Sequence, residues 1–280
     1  MVNGMDDTLN IDGINVCFDQ AGSGEPVILI HGLSVGRTVW NRLAEDASKL
    51  FTVYAVDLPG FGCSDAPDLP YGVPFYVDFL LKFMDEANIE RATIIGSSMG
   101  GKIAAMFAAK YPERVSKLVL IAPGGLTPCH GRLTDVSWLI DANFWLMSKN
   151  RTLYRKSYED SFHDAEKIPE WLVDMGWSMM KNPSYRRAFL RNAQYLSHPD
   201  PDFKDILGSI ATETLIIWGA DDRVIPSSDA KKFAEIIKNS EVRILDKCGH
   251  LVLLECSQQC NDLILSFIGE EDLYYTSEEM

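Results

Sequence analysis

No stretch of this 280-residue chain approaches the roughly 18 consecutive apolar residues that a membrane-spanning helix needs. The opening Met1-Val2-Asn3-Gly4-Met5-Asp6-Asp7 has neither a basic segment nor an apolar one, so no signal peptide is expected there. Positive charge is scarce: 26 basic residues stand against 40 acidic ones, a net charge of −14. Nucleic-acid binding draws affinity from neutralised phosphates, and adhesion to anionic membranes draws on clustered Lys and Arg, so both are disfavoured. The six cysteines (Cys17, Cys63, Cys129, Cys248, Cys256, Cys260) include no C-x-x-C pair, and no His/Cys/Asp/Glu cluster has metal-ligand spacing. The expectation is reduced, mostly buried thiols in a cytoplasmic protein with no metal. G-x-G-x-x-G and the Walker lysine are missing too, which removes the common nucleotide sites. A chain of this length with 46% hydrophobic residues can nevertheless bury a large core without staples.

The apolar residues fall in a definite order. Val27-Ile28-Leu29-Ile30, Thr52-Val53-Tyr54-Ala55-Val56, Thr93-Ile94-Ile95 and Leu118-Val119-Leu120-Ile121 are apolar runs too short for helices. Val16-Cys17-Phe18 precedes them, before a Gly22-Ser23-Gly24 turn. Between these runs, residues 39–49, 74–87 and 99–110 carry apolar side chains at helical spacing. Such alternation predicts an α/β fold, a mostly parallel sheet covered on both faces. The pattern stops after Pro123-Gly124-Gly125. From Leu126 to about Asp205 only helix-like segments follow, rich in Trp138, Trp145, Met147, Trp171, Trp177, Met179 and Met180. It resumes with Thr214-Leu215-Ile216-Ile217-Trp218, a helix over 228–238, Val242-Arg243-Ile244-Leu245 and a helix ending near Phe267. Residues 1–124 and 206–280 therefore read as one core domain interrupted by a helical insertion at 125–205, and the acidic stretch 269–280 as a solvated end.

Gly96-Ser97-Ser98-Met99-Gly100 stands between a strand and a helix, where a nucleophile on a tight turn needs neighbours without bulk two positions away. The helix that follows would aim its first N–H groups at the serine and favour negative charge there. A serine needs a base, and the base an orienting acid. His31 and His250 follow apolar strands, as do Asp57, Asp221 and Asp222, whereas His130, His163 and His198 lie in the insertion. Carboxyl ends of parallel strands are where open α/β sheets place their sites.

In these segments the chain resembles the α/β-hydrolase superfamily. His31-Gly32-Leu33, with Trp40 beyond, looks like its oxyanion loop, and Asp57-Leu58-Pro59-Gly60-Phe61-Gly62-Cys63-Ser64 like its D-x-P-G-x-G-x-S turn. Gly96-Ser97-Ser98-Met99-Gly100-Gly101 resembles the nucleophile elbow, Trp218-Gly219-Ala220-Asp221-Asp222-Arg223-Val224-Ile225-Pro226 the acid loop, and Gly249-His250 the histidine loop. The resemblance covers residues 10–124 and 206–268 and implies the α/β-hydrolase fold, a mostly parallel sheet flanked by helices, with the insertion as a variable helical cap. It implies Ser98 as nucleophile, His250 as base and Asp222 as acid, in the family's chain order. Asp222 rather than Asp221 fits once Gly219, Val224, Ile225 and Pro226 are aligned. The backbone N–H groups of Leu33 and Met99 would form the oxyanion hole, and Gly32, Val224 and Leu251 would border the substrate. His31 would order its loop, and no cofactor is required.

These residues lead to the expectation of a serine esterase. Its substrate would be a small to medium, largely apolar carboxylic ester, cleaved through an acyl-enzyme in a pocket walled by cap Trp and Met side chains. Ser98 sets the chain apart from the dehalogenases and epoxide hydrolases of this fold, which use an aspartate, and Met99 from the proline iminopeptidases, which usually carry tryptophan there. Acyl transfer or a perhydrolase-like activity uses the same machinery. Carbon–carbon hydrolases of cleaved aromatic rings share the G-x-S-M-G-G elbow. They commonly place tryptophan after the catalytic histidine, where Leu251 stands, and an arginine in the cap, a role open to Arg186, Arg187 and Arg191. A ligand receptor with slow turnover is the alternative from another class. The expected partner in each case is a small molecule.

Overall fold

The structure, a computed structural model, describes residues 7–127, 145–198 and 200–269. Among these residues eight strands form one sheet in the order β1-β2-β4-β3-β5-β6-β7-β8. The chain enters through a hairpin: β1 (Asp7–Ile11) and β2 (Ile14–Ala21) are antiparallel, with Ile11 opposite Ile14 across Asp12-Gly13. β2 also runs antiparallel to β4 (Thr52–Val56). All remaining pairs are parallel: β3 (Pro26–Ile30) with β4 and β5 (Ala92–Ser97), then β6 (Val115–Ile121), β7 (Thr214–Gly219) and β8 (Ser240–Leu245).

The short apolar runs are the inner strands because each is covered on both faces. Every residue of β5 and β7 is buried, whereas β8 is half-exposed throughout and ends the sheet. α1 (Asn41–Ala47) packs with α10 (Ser257–Gly269). α2 (Val73–Glu86), α3 (Met99–Lys110), α7 (Phe203–Gly208) and α8 (Ser228–Ile236) pack in sequence as a second group. α9 (Val252–Glu255) is a single turn leading into α10. Trp40, Phe61, Tyr76, Phe83, Phe107 and Trp218 are almost fully buried between sheet and helices, where each such side chain contributes about 1.5–3 kcal/mol.

Between β6 and β7 the described chain is helical: 145–149, α4 (Arg151–Lys156), α5 (Glu170–Lys181) and α6 (Pro183–Ser197). This is the inserted cap. Asn182 caps α6 by accepting from Ser184 N–H, and Pro183 suits its first turn. α6 lies on the core: Tyr185 donates to Ser64 O (3.1 Å), Asn192 to Tyr76 Oη (2.9 Å) and Arg191 to Asp68 (2.6 Å). Lys102 of α3, almost fully buried, pairs with Asp200 at 3.0 Å beyond the end of α6. The expected apolar wall of Trp and Met is only partly visible. Met147 and Met180 are buried, Trp145 and Trp171 are exposed, and Trp138 lies outside the described residues. His130, Cys129 and residues 270–280 lie outside them too.

The expectation of six reduced thiols fails at one pair. Cys17 and Cys63 form a disulfide across 46 residues, with Cα atoms 5.8 Å apart. Topology brings them together: Asp57 N–H donates to Cys17 O, and Cys17 N–H to Ser64 Oγ (both 2.9 Å), so the turn after β4 folds onto β2. Nothing in cysteine spacing shows that β2 borders β4. Cys248, Cys256 and Cys260 are free. Burial pushes the Cys248 and Cys260 thiols up, which keeps them inert.

Candidate active site

β5 passes into α3 at Ser98, whose φ of 56° and ψ of −115° are strained for a residue with a side chain. Backbone bonds hold it there: Ser98 N–H donates to Ile121 O (2.9 Å), and Ser98 O accepts from Lys102 and Gly124 N–H (3.1 Å each). The turn is possible only because both flanking glycines lack side chains. A Cβ on Gly96 would collide with the Gly100 carbonyl, and one on Gly100 with the Ile30 carbonyl. Ser98 Oγ lies 2.9 Å from His250 Nε2, while Ser97 is the buried last residue of β5.

His250 follows β8 and Asp222 follows β7, so two parallel neighbours bring residues 28 apart in sequence face to face. His250 Nδ1 lies 2.7 Å from Asp222 Oδ2, with both side chains buried. Asp222 is fixed from the other side as well. Its Oδ1 accepts from Val224 and Ile225 N–H (2.8 Å each), and its Oδ2 from Trp218 Nε1 (3.1 Å). The sequence places Trp218 at the end of a strand and at the start of the acid loop, with no role toward the acid itself. Its position at the end of β7, four residues before Asp222, was the available signal. Asp221 faces away, half-exposed, with His163 Nδ1 2.9 Å from its carboxylate.

His31 and Gly32 follow β3 beside the serine, where a Cβ on Gly32 would lie 3.0 Å from Ser98 Cβ. The His31 ring bridges its loop to the next: Nδ1 is 2.8 Å from Gly32 O, and Nε2 accepts from Leu58 N–H (3.0 Å). Full burial lowers its pKa, outweighing the nearby Asp57 charge, and this keeps the ring neutral. Asp57 holds the same corner by accepting from Arg37 N–H (2.7 Å) and Cys63 N–H (3.1 Å) and pairing with the Arg37 guanidinium. Among the described residues, no backbone or side-chain acceptor takes the N–H of Leu33 or of Met99.

Val224 and Leu251 are half-buried next to the acid and the base. The three cap arginines are engaged otherwise. Arg191 and Arg187 pair with Asp68, and Arg186 donates to Met180 O (3.2 Å). His198 is exposed, and its Nδ1 lies 2.7 Å from Gln194 O. Among the described residues no group of three or more His, Cys, Asp or Glu side chains is placed to hold a metal ion, and no helix is long and apolar enough to cross a membrane. The arrangement can deprotonate a hydroxyl, direct it at a carbonyl carbon and hold the resulting oxyanion.

A serine at a strained elbow, in line with a buried His–Asp pair on this sheet, defines a hydrolase of the α/β-hydrolase type. The chain belongs to that family: the family model for the alpha/beta hydrolase fold matches residues 25–256. Its relatives are more particular. The 2-hydroxy-6-oxo-2,4-heptadienoate hydrolase of Pseudomonas putida is 30% identical over 272 residues, which cover 93% of this chain and 95% of the relative. The 2-hydroxy-6-oxo-6-phenylhexa-2,4-dienoate hydrolase of Comamonas testosteroni is 30% identical over 260 residues, covering 90% and 91%. The solved meta-cleavage product hydrolase from Pseudomonas fluorescens IP01 superposes with a TM-score of 0.79 at 25% identity, covering 95% of this chain and 98% of its own. These findings overturn the expected serine esterase acting on an apolar ester. The two relatives are named as hydrolases of oxo-dienoates and the solved structure as a meta-cleavage product hydrolase, none of the three as an esterase. The G-x-S-M-G-G elbow is common to both chemistries and does not decide between them, and Leu251 in place of tryptophan does not set the chain apart from these relatives.

Proposed function

We propose that this protein hydrolyses a carbon–carbon bond in a ring-fission product of the 2-hydroxy-6-oxo-dienoate class. The observation that carries the proposal is the end-to-end likeness to hydrolases named for such substrates, which spans cap and core alike. In this reading His250 takes the Ser98 hydroxyl proton while Asp222 orients the imidazole and balances its charge. Ser98 Oγ adds to the 6-oxo carbon, and the N–H groups of Leu33 and Met99 hold the oxyanion. Collapse breaks the bond to the neighbouring chain carbon. For that bond's electron pair to be taken up, the 2-hydroxyl proton must first have moved to the chain carbon beside the 6-oxo group, so that the substrate reacts as its 2-oxo tautomer. The pair then delocalises into the 2-oxo group as a dienolate, which takes the proton from His250. Water, deprotonated by His250, then frees the acyl group from Ser98. Gly32, Val224 and Leu251 border the substrate, and the described cap residues 145–198 lie above it.

The test is a competition between chemistries on the purified protein. Turnover of 2-hydroxy-6-oxo-6-phenylhexa-2,4-dienoate and of the methyl-ketone heptadienoate is followed beside p-nitrophenyl acetate and butyrate. The expected kcat/KM for at least one dienoate exceeds that for either ester by about 100-fold or more, a difference of about 2.7 kcal/mol in transition-state binding. A preference for the esters would overturn the proposal.

A further inference from the structure

Glu255 has no place in the serine relay, yet its carboxylate accepts three backbone N–H groups. Oε2 accepts from Gly249 (2.7 Å) and His163 (2.8 Å), and Oε1 from Asp164 (2.9 Å). Gly249 immediately precedes His250, whereas His163 and Asp164 belong to the cap, 92 and 91 residues before Glu255. The same stretch of cap touches the neighbouring loops repeatedly. Leu251 N–H donates to Ser161 O (2.9 Å). The Arg223 guanidinium donates to Glu159 O (3.0 Å) and Phe162 O (2.6 Å), and His163 pairs with Asp221. Tyr158 Oη donates to Ser34 O (2.8 Å), one residue beyond Leu33. Phe162 is fully buried, and its backbone lies so close to Gly249 that a Cβ there would sit 2.7 Å from Phe162 Cα.

The contacts bracket both partners of the serine. Residues 221 and 223 flank Asp222, and residues 249 and 251 flank His250. Asp221, Arg223 and Leu251 bond to cap residues 159–163, and Gly249 packs against the backbone of Phe162 and His163. The sheet gives less restraint here than elsewhere, because β8, which leads into the histidine loop, is its half-exposed last strand. We infer that cap segment 158–164 is a positioning element that sets the distance between Asp222 and His250, with Glu255 and Arg223 as its positioning residues. The inference rests on the Ser98 relay proposed above but not on the dienoate as substrate. A displacement of about 1 Å at reacting groups can cost about 100-fold in rate, so a clasp of this kind acts on turnover rather than on substrate binding.

The experiment uses the full-length protein with Arg223→Ala, Arg223→Lys and Glu255→Gln. The Gln amide must turn an NH2 toward backbone donors and so cannot accept all three. Covalent labelling of Ser98 by a fluorophosphonate, steady-state turnover of the phenylhexadienoate, and thermal melting are measured on each. The expected result is a parallel fall in labelling rate and kcat, about 10-fold for Arg223→Ala and about 100-fold for Glu255→Gln, with KM within about twofold of wild type. Arg223→Lys should regain most of the loss, since an ammonium can still donate to the Glu159 and Phe162 carbonyls. Arg223 is exposed, so its variants remain decisive even where Glu255→Gln melts too low to assay. Labelling and kcat within about twofold of wild type in Arg223→Ala would overturn the inference, and so would a raised KM with unchanged kcat. A wild type that labels at Ser98 but leaves the dienoate intact removes the substrate reading alone, and the labelling rate still decides. A wild type that does not label removes the relay, and the clasp with it.

Discussion

Ser98 and the His250–Asp222 pair are held in place by different means. Ser98 owes its position to its immediate neighbours: two glycines within two residues of it, the strand before and the helix after. His250 and Asp222 sit on separate loops whose flanking residues Asp221, Arg223 and Leu251 bond to a cap segment 58 to 90 residues away. The nucleophile's geometry is thus encoded by a contiguous motif. The geometry of its partners depends on a chain excursion returning to the right place. One end of the relay should therefore tolerate a disturbed cap, and the other should not.

The comparison can be broken first at the nucleophile. Ser98→Ala should lower kcat by about 10⁶-fold, the scale seen when a serine nucleophile is deleted, and should abolish fluorophosphonate labelling. Ser97→Ala should label like wild type, and labelling that survives Ser98→Ala would remove Ser98 from the role. At the other end, Asp222→Asn should cost about 10⁴-fold in kcat through the wrong imidazole tautomer. Asp221→Asn, whose carboxylate is half-exposed, should cost under about tenfold. The reverse order would move the acid to the neighbouring residue.

Two smaller effects concern stability on the nucleophile side. Lys102 lies one turn into the elbow helix and is buried against the partly exposed Asp200, with the Phe203 ring 4.6 Å from its ammonium. Asp200→Asn leaves that charge unpaired and should cost about 2–3 kcal/mol in urea unfolding, discounted for Asp200's exposure, whereas Lys102→Met should be near neutral. Equal losses from both variants would show that the pair itself, not the stranded charge, carries the energy.

His31 sharpens the comparison through pH. Burial lowers its pKa below the ordinary 6.5, so the unfolded chain takes up a proton that the folded chain refuses. Its contribution is complete above about pH 6.5 and is lost as pH falls from there toward the folded value. Melting temperatures between about pH 7.5 and 5 should fall in wild type and fall less steeply in His31→Gln. Equal slopes would contradict the assignment.

The difference between the two ends also explains what could be read in advance. The inner strands were legible because burial on both faces leaves unbroken apolar runs such as Ile28-Leu29-Ile30 and Leu215-Ile216-Ile217. The motifs pointed to residues that meet in space because each spans a single strand end. β1 carries no apolar run, and its only signal is Asp12-Gly13 between Ile11 and Ile14, a hairpin dipeptide. The Cys17–Cys63 bond was invisible because it depends on β2 lying beside β4. Glu255 and Arg223 were quiet for the same reason, since their partners are backbone groups of a segment whose docking no periodicity records. Substrate class lay furthest from view: Leu251 and the cap arginines were the available signals, and Asp68 engages two of those arginines.

The central claim is that a carbon–carbon bond breaks at Ser98. It is tested most directly by identifying the products formed from 2-hydroxy-6-oxo-6-phenylhexa-2,4-dienoate by wild type and by Ser98→Ala. The account predicts benzoate and 2-hydroxypenta-2,4-dienoate in equal amounts, one water consumed per pair, and neither product above background from Ser98→Ala. An unchanged dienoate after prolonged incubation with a wild type that hydrolyses simple esters would contradict it.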